Sequence, residues 1–204
     1  MNQTFSKLAE YIDQLDISQI SPERQLQLDV LRQYISNTLE TPDKARLNFI
    51  CTHNSRRSHL CQVWSRTMAY FYAVDGIKSY SGGTEVTAVF PMIIQTLRNT
   101  GFVIHQLGEG DNPTYKLNFT DEKCPMTLFS KVYNDSINPK DQFAAVMTCN
   151  SADANCPFIP GATRISLTYD DPKAFDNTSL QEEKYLERST QIATEMKYIF
   201  SQIN

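Results

Sequence analysis

One stretch, RLNFICTHNSRRSHLCQVW (Arg46 to Trp64), constrains the fold more than any other. It opens with a short apolar run ending at Cys51, as a buried strand does. Six residues follow, Thr52 to Arg57, all polar. Beyond them Leu60, Val63, Trp64, Thr67, Met68 and Phe71 recur at helical spacing. A buried strand passing straight into a helix is half of a βα unit, and such units build parallel sheets covered by helices. Further strands are expected over IKSYSGG (77–83), QFAAVMTC (142–149) and TRISLTY (163–169). TYKLNF (114–119) and MTLFSKVY (126–133) read as the two strands of a hairpin. Helices are expected over PMIIQTLRNTGF, stopped at Gly101, and over the closing segment from Ser179 to Ile203, apolar at Tyr185, Ile192, Met196, Ile199 and Phe200. The expected fold class is therefore α/β, a three-layer, mostly parallel sheet flanked by helices.

The first 44 residues have a different rhythm. Phe5, Leu8, Ala9, Ile12 and Leu15 form one helical stripe. A second helix starts at Ser21, a good N-cap, with Pro22 at its first position and Glu23 near the positive end of the dipole. Its apolar face is Leu28, Leu31, Tyr34 and Ile35, and TPDK (41–44) breaks the pattern. Residues 1–44 are expected to form a helical hairpin extension, and 45–204 the main domain. A dimer contact and a lid are both open roles for the hairpin.

The net charge of −4 gives no basic surface for nucleic acid. No apolar run is long enough for a membrane span, and the N-terminus lacks the apolar centre of a secretory signal, so a cytoplasmic location is the expectation. Five cysteines, an odd count, speak against a fully paired disulfide scaffold. There is no CxxC, and the three histidines are not spaced as ligand pairs, so no metal is expected.

Cys51 stands where a strand ends and a helix begins, the edge at which parallel α/β folds bind ligands. The backbone from Thr52 through His53, Asn54, Ser55 and Arg56 to Arg57 can curl with its N–H groups inward, making an anion nest. The helix start adds unpaired N–H groups and its positive dipole end. Arg57 can grip two oxygens of a phosphate-like anion. The same field stabilises a thiolate on Cys51, and Ser58 can give that sulfur a hydroxyl. Asn54 tolerates the left-handed backbone that a tight curl needs.

CTHNSRRS resembles the phosphate-binding loop, Cys-x-Gly-Asn-x-x-Arg-Ser, of the low-molecular-weight protein tyrosine phosphatase superfamily, which includes the thioredoxin-coupled arsenate reductases. Cys51, Asn54, Arg57 and Ser58 match it. His53 replaces the usual Gly, at an expected backbone cost, and Arg56 adds a charge expected to favour an anion. VMTCNSADANCPFIPG places Cys149 and Cys156 seven apart. It is similar to the redox segment of those reductases, and its Asn, Asp and Pro suggest a mobile loop. The resemblance spans about 46–204 with an insertion around 106–140, which contains Cys124, read as structural or adventitious. Cys61, in the helix after the loop, is expected to be buried. The resemblance also makes Asp171, just before Pro172, the general acid in preference to Asp170, and makes SGGTE (81–85) a structural support. Some relatives bind potassium near the loop through Asn and acidic side chains. Here Asn54 matches, but Gln62 stands in place of an acid, so the metal is left out.

The reading preferred on this basis is arsenate reduction: attack by Cys51, proton donation by Asp171, then a relay through Cys149 and Cys156. No bound cofactor is expected, and thioredoxin or a similar dithiol would be the electron donor. The alternative is phosphomonoester hydrolysis through a phosphocysteine. A third reading is an anion-binding or thiol-sensing protein without turnover.

Overall fold

The computed structural model describes residues 2–41, 44–121 and 125–203. Cys124, and the part of the TPDK break at Pro42 and Asp43, lie outside the described residues. The chain runs α1 (Ser6–Gln14), α2 (Pro22–Leu39), β1 (Ala45–Cys51), α3 (Arg57–Phe71), β2 (Ile77–Gly83), α4 (Pro91–Asn99), β3 (Val103–Leu107), β4 (Thr114–Asn118), β5 (Met126–Leu128), β6 (Phe143–Met147), α5 (Asn150–Asn155), β7 (Ala162–Ser166) and α6 (Gln181–Phe200).

The four strands β2-β1-β6-β7 form the parallel sheet, as strands joined through helices must. β1 is central and buried on both faces, so it is apolar almost throughout. Side-chain alternation splits its surroundings. Leu47 and Phe49, with Ala144 and Val146 of β6, face the core built by α1, α2, α3, α4 and α6. Ile50, with Ala145 and Met147, faces the opposite side, where α5 packs with Tyr133 and Ile159, and Cys51 at the strand's end joins that cluster. The result is a parallel sheet between layers of helix. No helix among the described residues is long and apolar enough to cross a membrane.

The N-terminal helices share the core. Leu8 and Ile12 of α1, with Leu28, Leu31 and Ile35 of α2, belong to the same cluster as Trp64 and Phe200. Tyr11 stacks on Trp64 at 5.7 Å, and Lys197 donates to the carbonyls of Ile12 and Leu15, both at 2.8 Å. Gly101, with φ 112°, ends the turn after α4 and leaves room for α1: a Cβ there would lie 2.8 Å from the Leu8 nitrogen.

Three local expectations are corrected. The hairpin of β4 and β5 exists but has a third strand, β3, paired antiparallel to β4. MTLFSKVY is a strand only as far as Leu128. Phe129 to Tyr133 instead crosses to the end of β2, where the Gly83 N–H donates to the Lys131 carbonyl at 2.9 Å and the Tyr133 N–H to the Gly83 carbonyl at 2.8 Å. The segment from Cys149 to Cys156 is not an open loop but carries α5. The Cys149 sulfur caps it by accepting from the Ala152 N–H at 3.3 Å, and Arg164 donates to the carbonyls of Ala152, Asp153 and Cys156 at its other end. Satisfying both ends is what allows so short a helix to persist.

Candidate active site

The loop from Cys51 to Arg57 is shaped by its carbonyl groups. The Cys51 carbonyl accepts from the Thr84 N–H at 3.2 Å, and the Thr52 carbonyl from the Glu85 N–H at 2.8 Å. The His53 carbonyl accepts from the hydroxyls of Thr87 at 3.1 Å and Ser130 at 2.9 Å. The Asn54 carbonyl meets His59 Nε2 at 2.9 Å, and the Ser55 carbonyl accepts from the Phe90 N–H at 3.0 Å. Arg56 is the N-cap of α3, and its carbonyl takes the N–H groups of His59 and Leu60. Every carbonyl from Cys51 to Arg56 is thus engaged by the surrounding protein. Among the described residues, no protein acceptor takes an N–H of Thr52 to Ser58. No side chain caps α3. A run of free N–H groups beside an uncapped helix N-terminus is an anion site by its dipoles alone.

The nucleophile lies at its base. Cys51 is buried, and its sulfur is 3.1 Å from the Ser58 hydroxyl. Asn54 donates to that hydroxyl at 2.9 Å while its Oδ1 accepts from the Lys131 N–H at 2.9 Å. Asn54 has φ 44°, the one left-handed residue of the loop. The Asn side chain holds the curl from both of its polar atoms. Gly83 makes room for it: a Cβ there would fall 2.7 Å from both the Asn54 nitrogen and the Thr52 carbonyl oxygen.

Arg57 donates to the Tyr169 carbonyl at 2.9 Å and forms an ion pair with Asp171. Its Nε is buried with no partner among the described residues. Asp171 starts a 3-10 turn over Pro172–Phe175 and accepts the Lys173 N–H at 3.1 Å. Asp170 points elsewhere, 3.4 Å from Arg188 and fully in solvent.

The other two cysteines of the sequence reading lie close by. Cys149 is buried, with its sulfur 3.7 Å from the Thr52 hydroxyl. Cys51, Cys149 and Cys156, all with free thiols, belong with Ala152 to one buried cluster on the α5 side of the sheet. Burial pushes the Cys156 thiol up, against the lowering field of Arg164. Cys61 is buried within α3, and burial pushes its thiol up too.

No family model matches the chain. Arsenate reductase 2 of Staphylococcus haemolyticus is 28% identical over 131 residues, 64% of this chain and 80% of the relative. Arsenate reductase 2 of Staphylococcus epidermidis is 29% identical over the same shares, and arsenate reductase of Staphylococcus aureus 28%. The chain is thus similar in sequence to named arsenate reductases over 64% of its length. Among solved structures, a low-molecular-weight phosphotyrosine phosphatase from Vibrio cholerae gives a TM-score of 0.49 at 15% identity, covering 77% of this chain and 94% of that one. A thioredoxin-dependent arsenate reductase from Corynebacterium glutamicum gives 0.43 at 18%, covering 95% and 82%.

Two expectations for the loop change in three dimensions. The His53 substitution carries no left-handed strain, because the positive φ falls on Asn54. The His53 side chain is partly exposed, 3.5 Å from Glu85. Arg56 does not lend its charge to the nest. Its guanidinium pairs with Asp176 at 2.6 Å, donates to the Tyr185 hydroxyl at 2.6 Å and lies over the Phe90 ring at 4.0 Å. Arg56 serves the loop by its backbone and by clamping it to α4 and α6. Sequence reasoning missed His59, Thr87, Ser130, Lys131 and Tyr169, which hold the loop and its arginine from outside. Only the lone lysine within an apolar segment, LFSKVY, was a signal that could have been read.

Proposed function

We propose that this protein is an arsenate reductase working through Cys51, Cys149 and Cys156. The observation that carries the reading is that these three free thiols share one buried cluster beside a loop whose N–H groups have no protein acceptor among the described residues. Arsenate is held by the backbone from Thr52 to Arg57 and by the Arg57 side chain. The Cys51 thiolate attacks arsenic, and Asp171 protonates the departing oxygen, which leaves as water. The Cys149 thiolate then attacks the Cys51 sulfur. The arsenic–sulfur bond breaks with its electron pair going to arsenic, so As(V) becomes As(III) and arsenite leaves. The Cys51–Cys149 disulfide is next attacked by Cys156, which frees the Cys51 thiolate and closes a Cys149–Cys156 disulfide. An external dithiol reduces it, and thioredoxin is the proposed donor. Cys149 and Cys156 flank α5, so α5 unwinds for their sulfurs to join.

The test is arsenate-dependent NADPH consumption with thioredoxin and its reductase. Turnover in the natural protein, absent in Cys149→Ser, supports the relay. Hydrolysis of p-nitrophenyl phosphate that survives Cys149→Ser, with no arsenate turnover, would replace it with the phosphatase reading. That second reading uses the same loop, Arg57 and Asp171, and a cleft of about 320 Å³ lined by His53, Arg56, Phe90 and Lys173 opens beside them.

A further inference from the structure

Behind the loop lies a buried lysine that the proposed chemistry does not use. Lys131 is 3% exposed, and His59 and Ser81 beside it are 0% exposed. Among the described residues, no carboxylate lies at ion-pair distance from Lys131. Its amino group has the Ser81 hydroxyl at 3.5 Å, the Phe129 carbonyl at 3.4 Å and the Phe129 ring at 4.8 Å, and burial pushes its pKa down to about 8 against the raising field of Asp135. A buried ammonium without a counter-ion costs the fold stability.

Its contacts run in one direction. A carbonyl can only accept, so His59 Nε2, 2.9 Å from the Asn54 carbonyl, carries the proton. Burial and the neighbouring lysine push the His59 pKa down to about 3, so the ring is neutral and Nδ1 accepts. The Ser81 hydroxyl, 3.3 Å away, therefore donates to Nδ1, and its own oxygen accepts from Lys131. The chain reads Lys131 to Ser81 to His59 to the Asn54 carbonyl. Its end is the left-handed residue whose peptide sets the curl of the nest. The Lys131 main-chain N–H holds the side chain of the same Asn54.

We propose that Lys131, Ser81 and His59 form a one-way donor relay that pins the Asn54 peptide, and thereby sets the oxyanion affinity of the Cys51 loop and the reactivity of Cys51. They are positioning residues, and the inference rests on Cys51 lying at the base of an anion loop. An aligned chain of donors polarises along its length, with the ammonium at its head. The relay holds the Asn54 carbonyl outward and leaves the loop N–H groups to the anion.

The experiment follows alkylation of Cys51 by iodoacetamide, by peptide mass spectrometry, with and without inorganic phosphate. It needs neither arsenate nor thioredoxin, so a failure of the arsenate reading is seen separately. Lys131→Met, Ser81→Ala and His59→Leu should each slow alkylation and weaken phosphate protection about tenfold, the scale of one buried hydrogen bond. The double variant Lys131→Met/His59→Leu should be no worse than either single one, because both act through one chain. His59→Gln keeps a donor for the Asn54 carbonyl and should retain most of the protection. Lys131→Met should unfold at higher urea than the natural protein. Should His59→Leu fail to fold, Ser81→Ala removes only the middle hydroxyl and gives the same reading. Folded variants with unchanged alkylation and phosphate protection would overturn the proposal. So would a fully additive double variant, or Lys131→Met that loses stability while Cys51 behaves normally.

Discussion

Arg57 donates to the carboxylate of Asp171, so the side chain proposed to grip the oxyanion is in contact with the side chain proposed to protonate its leaving oxygen. An anion entering the loop competes with that carboxylate for the guanidinium. Asp171→Asn should lower the first chemical step by about 100- to 10,000-fold, as loss of a general acid does. It should also tighten phosphate binding by a few-fold, since the displaced pair is partly exposed and therefore weak. Single-turnover kinetics and phosphate inhibition read the two effects apart. A variant with an unchanged rate moves the acid role elsewhere.

The three thiols should separate by step. Cys51→Ser should abolish all activity, because serine has no accessible anion at neutral pH. Cys156→Ser should release about one arsenite per protein and stop as a Cys51–Cys149 disulfide. Cys149→Ser should release none. Quenched-flow arsenite release with disulfide mapping checks all three. Multiple turnovers in Cys156→Ser would remove that residue from the relay.

Gly83→Ala would bring a methyl group within 2.7 Å of the Asn54 nitrogen and the Thr52 carbonyl oxygen, both backbone atoms that the nest depends on. The loop or β2 must shift. The expected cost is about 1–3 kcal/mol of stability, as for other overpacked sites. Phosphate protection of Cys51 should be lost with it. Urea unfolding and the alkylation assay measure the pair, and a variant normal in both would show that the two segments part easily.

His59 makes stability depend on acid. Its folded pKa, about 3, lies below the ordinary 6.5, so the unfolded chain takes up a proton that the folded chain refuses. This contribution is complete above about pH 6.5 and falls as the pH drops towards about 3, by up to about 1.4 kcal/mol per unit. Between pH 7 and pH 5 the natural protein should therefore lose about 2 kcal/mol more than His59→Gln. Urea titrations at the two pH values provide the comparison. Equal losses would mean that His59 titrates as it does in water.

Some of this was legible in the chain. Cys51, Asn54, Arg57 and Ser58 lie within one eight-residue stretch, so their roles could be read from short-range spacing. The buried strand before them and the helical stripe after them declared the βα unit for the same reason. The role of Arg56 was not legible. Its partners, Asp176 and Tyr185, lie more than a hundred residues away and arrive only when α6 packs on α3. Nor was α5, because its last turn is held by Arg164 from β7, and a six-residue helix does not hold on propensity alone.

By itself the sequence determined the kind of unit, a strand, an anion loop and a helix, and the residue types placed in it, since these depend on hydrophobic period and local backbone geometry. Tertiary structure decided which way the loop peptides face. Each carbonyl from Cys51 to Ser55 is engaged by a donor from α3 or from the segments 84–90 and 129–133. A peptide group can point either way along a chain, and only a partner fixed elsewhere in the fold settles the choice.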